Sequence, residues 1–559
     1  MRIFSLVPRA MAAFLCAWTP ADGSAETLQI EEIEQTYQRV QSLRDDINTL
    51  RAQSGPTGTD GAKIPELLAR YAGSRQQLML ELRGTDAANL NADDQRVVGV
   101  MRRATENQLD AEPDENIIAR GTDSSGKPQE CDYNPAMLAR SGMDALSERM
   151  YHCFGIAAGS LFVDGEKLDR LTVLTRLAIV EQPKQRRALF LALDPVWKSV
   201  NGDGGEQSPW RMLIELSATR FKNNGSSTEA SAALLGINPA VVESWLLSVL
   251  AAWRDTNAGA DLEPWDFAHA GGAMDRALAP HLPLALLRPL NDRVYRELGA
   301  DPVQLGVEYD LAPRAGKDPV AYTDFAARPW RESVAAWKRG RFRVSASYTG
   351  GGSGNLAELL HETGHAIHIA AIRTRPAYTD WPDSDTFTEA LADLVALDLY
   401  DSDWQQRYLG MVVTAVDARR AKYSGIILDT AWALFEIRML RNPELDPNAV
   451  WTELTREYLH IRPHPEWSWW AVRGQLVHRP GSMLNYALGA ILVADLRART
   501  RELFGARPWG DNTWYARVSE RLFRFGLERP SRQVIEDYLG RPISPAALLR
   551  NLRGRGPVF

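Results

Sequence analysis

The sequence predicts a mostly α-helical chain, built as one unit with two lobes and a small antiparallel β-sheet. Three observations lead there. Apolar residues recur at helical spacing along nearly the whole chain, as in Leu28, Ile30, Ile33, Val40, Leu43, Ile47 and Leu50. Strict alternation is confined to one clear stretch, residues 341–348. No Pro/Gly/Ser-rich linker divides the 559 residues, so a length that allows three or four domains is read as a single body. The chain is 45% hydrophobic and 24% charged, which leaves ample material for a large core. Its net charge of −7 gives no basic footprint and argues against nucleic acid as a partner. Without a polybasic tail no stable membrane association is expected, and we expect a monomer.

From the N-terminus, Arg2 and Arg9 precede an apolar run from Ala10 to Trp18, and Gly23-Ser24-Ala25 offers a cleavage site. The run is too short to span a bilayer. Residues 1–25 are therefore expected to be a signal peptide, with Glu26 opening an exported chain, periplasmic or secreted. A cytosolic start is the alternative. Removal of the signal leaves Cys131 and Cys153, and an even pair in an oxidising compartment suggests one disulfide. It would close a loop of about 20 residues, worth on the order of 3 kcal/mol; two buried thiols are the alternative.

Residues 26–110 form charged amphipathic helices at about 26–51, 64–82 and 93–109, broken at Gly55-Pro-Thr-Gly58 and near Gly84. Residues 111–130 are a loop, and 111–559 form the main body. Helices are expected at 166–180, 183–193, 209–224 and 239–258, then at 403–413, 415–438 and 448–459. In Glu263-Pro-Trp-Asp-Phe267 a helix begins, with Asp266 as its cap and Trp265 in the core. Residues 341–348 form the strand. The stretch Thr349-Gly-Gly-Gly-Ser-Gly354 reads as a flexible rim beside a ligand; it lacks the Gly-Lys-Ser/Thr ending of a phosphate loop.

The next helix carries the chemistry. Leu356-Ala-Glu-Leu-Leu-His-Glu-Thr-Gly-His-Ala-Ile-His368 contains H-E-x-x-H at His361–His365. Ser353 or Asn355 can cap its start. His361 and His365 are one turn apart on the same face, so two imidazoles can share one metal. Glu362 can reach a water on that metal rather than the metal itself. Five residues match by chance often enough that a second piece is needed. It lies in Thr386-Phe-Thr-Glu-Ala-Leu-Ala-Asp393, where Glu389 can be the third ligand and Asp393 can accept the other ring N–H of a ligand histidine. Three protein ligands and one open position are what a catalytic Zn2+ requires. The metzincin pattern would need Gly at 368 and His at 371, where this chain has His368 and Ala371.

The 28-residue step from His361 to Glu389, with the helix after Phe387, resembles the angiotensin-converting-enzyme family of gluzincin peptidases. His361-Glu-Thr-Gly-His-Ala-Ile-His368 equally resembles the thimet-type oligopeptidases and their carboxypeptidase relatives. The resemblance implies a two-lobed helical metallopeptidase with a deep central cleft, one Zn2+, a small antiparallel sheet next to the zinc helix, and residues 26–110 as a helical lid. It implies that the strand segment Ser345, Ala346 and Ser347 takes the substrate backbone along an edge. It also aligns Ser333 with a substrate-binding histidine. Farther on, His464-Pro-Glu-Trp-Ser-Trp-Trp-Ala-Val-Arg-Gly-Gln-Leu-Val-His478 leads to Tyr486. His478 and Tyr486 match the histidine and tyrosine that stabilise the developing oxyanion. Where the converting enzymes bind a substrate carboxylate, this chain has Leu476 and Met483, and in place of a chloride-binding arginine it has Asn485. Arg473 and Arg479 are the candidate anion receptors; Trp467, Trp469 and Trp470 are expected to pack.

The expected activity is hydrolysis of short peptides with Glu362 as general base. The alternative is an exported zinc-containing protein that binds peptides without cutting them. An intact Glu362 favours catalysis, because mere zinc binding needs no base.

Overall fold

The computed structural model describes residues 22–554, apart from 55–62, 108–130, 132–133, 258, 260, 315–316, 318–320, 334–335 and 506–507. Helices dominate, as the periodicity predicts. Three of them, α1 (Asp22–Ser54), α2 (Ile64–Gly84) and α3 (Ala92–Asn107), form an N-terminal layer with a small core of its own. Ile33, Tyr37 and Val40 meet Leu78, Leu82, Val97 and Met101, and the cluster closes on Ala377 and Tyr378 of the main body. Around this apolar patch the joint is ionic. Arg328 pairs with Asp45 of α1 and with Asp380 at 3.0 Å. Arg375 reaches Glu34 at 2.8 Å, Asp93 at 2.6 Å and Asp94 at 2.9 Å. The break expected at 55–58, the loop at 111–130 and residues 1–21 of the expected signal peptide lie outside the described residues; residues 22–25 open α1.

In the body, α4 (Met143–Ala158) is tied through Cys153 to Cys131 by a disulfide with Cα atoms 5.0 Å apart. The helix expected from 166 starts late. Strands β1 (Leu161–Val163) and β2 (Glu166–Leu168) pair antiparallel about Asp164-Gly165, both at positive φ. An Asp-Gly turn of this kind overrides the apolar spacing that suggested a helix. Helix α5 (Arg170–Ile179) begins where the Asp169 carboxylate accepts from Thr172 N at 2.9 Å. Asp266 is not a cap: it lies inside the helix Pro264–Gly271 and pairs with Arg186 at 2.6 Å, while Trp265 is in the core as expected.

Beside the central helix stands a three-stranded sheet of β3 (Val307–Asp310), β4 (Tyr322–Ala327) and β7 (Arg341–Ser345); β5 (Trp330–Ser333) and β6 (Ala336–Lys338) form a separate hairpin. The order is β3-β7-β4, with β7 parallel to β3 and antiparallel to β4. The sheet is thus mixed rather than antiparallel, and the strand legible in the sequence is its centre, not its edge. Its alternation is deceptive, because Arg343 and Ser345 are buried along with Phe342 and Val344, the two-sided burial of an inner strand.

Five further helices frame the site: α6 (Ser353–Ala371), α7 (Asp385–Ala396), α8 (Ala415–Arg441), the short α9 (Gln475–His478) and α10 (Met483–Phe504). They enclose an aromatic core in which Trp210, Phe435, Trp451 and Trp470 stack or tilt against one another. Among the described residues no single helix is long and apolar enough to cross a membrane.

Candidate metal centre

Helix α6 is buried on most sides, with Leu356, Leu359, Leu360 and Ile367 in the core. Neither Ser353 nor Asn355 caps it. The cap comes from Asp275, on the separate helix Ala273–Leu278, which accepts from Ser353 N at 2.6 Å, Ser353 Oγ at 2.8 Å and Gly354 N at 3.1 Å. A carboxylate there satisfies orphan amides and complements the positive end of the helix. The glycines before it are needed for packing. A Cβ on Gly351 would come within 1.8 Å of the Leu282 carbonyl, and Gly352 sits at φ 101° against Asp275. The stretch 349–354 is a tight entry to α6, and none of it lines the cleft.

One residue sets the distance between the ligand helices. A Cβ on Gly364 would lie 2.3 Å from the Ala392 carbonyl oxygen, so α7 approaches α6 more closely than any side chain permits. Ser384 caps α7, accepting from Phe387 N at 3.3 Å. Glu389 is thereby brought to the histidine pair: its carboxylate lies 3.2 Å from His361 Nε2 and 3.6 Å from His365 Nε2. One ligand atom from each of His361, His365 and Glu389 falls within 4.8 Å of the others. These three residues can hold a metal ion, and two imidazoles with one carboxylate are a donor set suited to first-row divalent cations.

The surroundings favour a cation. His361 Nδ1 is 2.7 Å from Asp393 Oδ1, as expected from the spacing, which fixes the ring with Nε2 toward Glu389. Burial opposes a charge on His361, yet the Asp393 and Glu389 carboxylates more than offset it and raise its proton affinity well above the ordinary value. Burial likewise pushes Glu389 upward, but hydrogen bonds from both histidines hold its carboxyl below the usual range. Two acids thus hold positive charge at this point. His365 is oriented differently: its Nδ1 is buried with no hydrogen-bond partner, and the ring meets Trp381 edge-on at 5.6 Å. His368 is no fourth ligand. It packs against Trp381 and Phe523, and burial lowers its pKa to about 3, so it is neutral.

Glu362 is buried, and its carboxylate opens on the same cleft without joining the ligand cluster. Thr323 on β4 steadies it: the hydroxyl lies 2.7 Å from Glu362 Oε2 and 2.8 Å from its carbonyl oxygen. The cleft has a volume of about 1220 Å³, above the roughly 300–1,000 Å³ of ordinary small-molecule pockets. It gathers His361, Glu362, His365, Glu389, Asp393, His478 and Tyr486 on one surface. His478 stacks on Tyr151 of α4, with centroids 4.7 Å apart. Tyr486 is 42% exposed, receives a hydrogen bond from Gln475 Nε2 at 3.3 Å, and lies beneath the Arg473 guanidinium. Burial raises the pKa of its phenol, so it keeps its proton and can donate.

No protein-family model and no curated protein matches this chain.

Several expectations need correction. Ser345 and Ala346 are buried in and beside the inner strand, and Ala346 is held by Asp310 and Lys317; with Ser347 they line no part of the cleft. β3 and β4 are the edge strands, and Ala321, Tyr322 and Thr323 at the start of β4 form that wall instead. Ser333 falls in the β5–β6 hairpin. Among the described side chains, none of α1, α2 or α3 lines the cleft. Leu476 and Met483 are core residues. Arg473 is committed to Asp429 at 2.8 Å, whereas Arg479 does line the cleft. Two contributors had no sequence signal, because only the fold brings them in. One is Thr323. The other is Arg170, a cleft-lining cation with no carboxylate partner among the described residues; it bonds the Val472 carbonyl at 3.1 Å and covers the Phe154 ring.

Proposed function

We propose that this chain is a zinc-dependent peptidase acting on short peptides. The observation that carries the reading is Glu362: a buried carboxylate facing the cleft beside a three-residue ligand set, held by Thr323 and left out of the ligand cluster. A carboxylate so placed is superfluous for holding a metal and suited to moving a proton. Two nitrogens and one carboxylate fit zinc, with His361, His365 and Glu389 as its ligands. Zinc, when bound, supplies a Lewis acid that polarises a carbonyl and makes water acidic near neutral pH.

The protein's own residues would do the rest. Glu362 takes the proton of the attacking water on its free oxygen and delivers it to the leaving amine. The Tyr486 hydroxyl and the His478 imidazole donate to the oxygen that gains charge at the attacked carbonyl. Main-chain groups at the start of β4 can pair with an extended peptide whatever its sequence. Arg170, with no carboxylate partner among the described residues, supplies a positive charge for a substrate carboxylate. Export is part of this reading, supported by the Cys131–Cys153 bond, and the intact mass of the mature protein tests whether residues 1–25 are removed.

The deciding experiment digests a library of peptides of about 5 to 15 residues and maps the cuts by mass spectrometry. Wild type, Glu362→Gln and chelator-treated protein run side by side, with metal content measured in each. We expect one zinc per chain in wild type and variant, with cleavage by untreated wild type alone. A zinc-loaded wild type that binds peptides and cuts none would replace this reading with that of a peptide-binding protein.

A further inference from the structure

Glu436 is an ionisable residue in the wrong place for stability. It lies on α8 at 1% exposure, and among the described residues no cation pairs with it. Its carboxylate oxygens each accept one backbone amide: Oε1 from Gly481 at 2.8 Å and Oε2 from Met483 at 2.9 Å. Burying an ionisable carboxyl group without a counter-charge is unfavourable, and an apolar side chain at the same spot would avoid that cost. What the carboxylate holds is therefore of interest. Gly481 lies in the connector between α9 and α10, and Met483 opens α10. His478 lies three residues before the first amide, and Tyr486 three residues after the second.

The same connector is gripped from two other sides. Ser147 Oγ of α4 lies 2.6 Å from the Val477 carbonyl and 3.2 Å from that of His478. Gly481 is at φ 87°, and a Cβ there would meet Ser227 Oγ at 2.3 Å. The turn can thus carry no side chain at its tightest point. Three separate helices fix one short segment, and His478 and Tyr486 stand at its two ends.

The geometry points to Glu436 as the positioning residue that sets the spacing of His478 and Tyr486 across the cleft, acting through the backbone and touching no substrate. This rests on the peptidase reading above, in which those two side chains stabilise the oxyanion. Glutamine at 436 keeps one acceptor but turns an NH2 group toward the second amide. Glu436→Gln should therefore loosen the connector while leaving His361, His365 and Glu389 untouched. Since each oxyanion donor is worth about 10²–10³ in kcat, partial misplacement of two should lower kcat by about 10- to 100-fold, with KM within about twofold of wild type.

The test measures kcat and KM on one peptide that wild type cleaves, the zinc content, and amide hydrogen exchange by mass spectrometry, for wild type, Glu436→Gln and Ser147→Ala. Ser147→Ala releases the same connector from its other side, so it reports on the segment even where the first variant folds poorly. The expected result is faster exchange confined to residues 475–486, a loss in kcat alone and full zinc content in both variants. Unchanged exchange, or unchanged kcat in variants whose connector exchanges faster, would overturn the inference. So would a combined loss of zinc, KM and kcat, which is the mark of a merely structural residue. A wild type that cuts nothing refutes the peptidase reading, and it does so in the control rather than in the variants.

Discussion

At the scale of single residues the site divides into what spacing encodes and what packing supplies. His361, Glu362 and His365 sit on one helix, and Glu389 and Asp393 on another at one-turn spacing; these roles were legible because helix geometry alone places them. Thr323, Asp275 and Arg170 were not, since each acts on a residue between 39 and 302 positions away. Thr323 gives a direct prediction. Thr323→Val keeps the shape and removes the hydrogen bond to Glu362. Hydrogen bonds to charged groups are worth about 1.5–3 kcal/mol, so kcat should fall roughly 10- to 100-fold with zinc retained. Steady-state kinetics would reject this if the variant matched wild type.

At the scale of elements the long helices were legible and the sheet was not. The helices expected at 64–82 and 209–224 appear as Ile64–Gly84 and Pro209–Asn224, because sustained period and terminal breakers mark both ends. Strand order depends on which segments meet. Arg341–Ser345 carries the pattern of a half-exposed strand and is covered by β3 on one side and β4 on the other. The α6–α7 contact makes its own prediction. Gly364→Ala sets a methyl against the Ala392 backbone, a clash that costs about 1–3 kcal/mol and drives Glu389 from the histidines. The variant should lose zinc on gel filtration while keeping its helical circular dichroism; a full zinc complement would refute the close-approach explanation. Glu436 adds a pH dependence. Burial pushes its carboxyl up from an ordinary 4.5 to about 8, so between those values the folded state binds more protons than the unfolded one. Its contribution to stability is present at low pH and is lost as pH rises through that window. Glu436→Gln has no such slope. The melting temperature of the variant relative to wild type should climb from pH 5 to pH 8, and a flat difference would contradict the assignment.

For the whole molecule, the joint between the N-terminal layer and the body rests on a small apolar patch and on arginines that include Arg328, Arg375 and Arg96. Arg328 serves Asp45 and Asp380 together, with Asp324 nearby. Arg328→Gln strands these buried acids without a counter-charge, a loss of about 3–5 kcal/mol. The expected outcome is early proteolytic cutting within α1–α3, with zinc still bound to the remainder; digestion at the wild-type rate would show that the pair is dispensable. The layer's helices were visible in the sequence, but their docking was not, since nothing in 26–110 names Arg328 or Arg375 as a partner. The dispersal of the site along the chain also bears on how it comes into being. Tyr151, Thr323, His361, Glu389 and Tyr486 share one cleft yet emerge from the ribosome far apart in time. Such non-local pairing makes folding slow, and a nascent chain stopped short of Tyr486 would carry its metal ligands complete and its donor wall missing. On the proposed peptidase reading, such a chain would be able to capture a metal well before it could turn over a substrate.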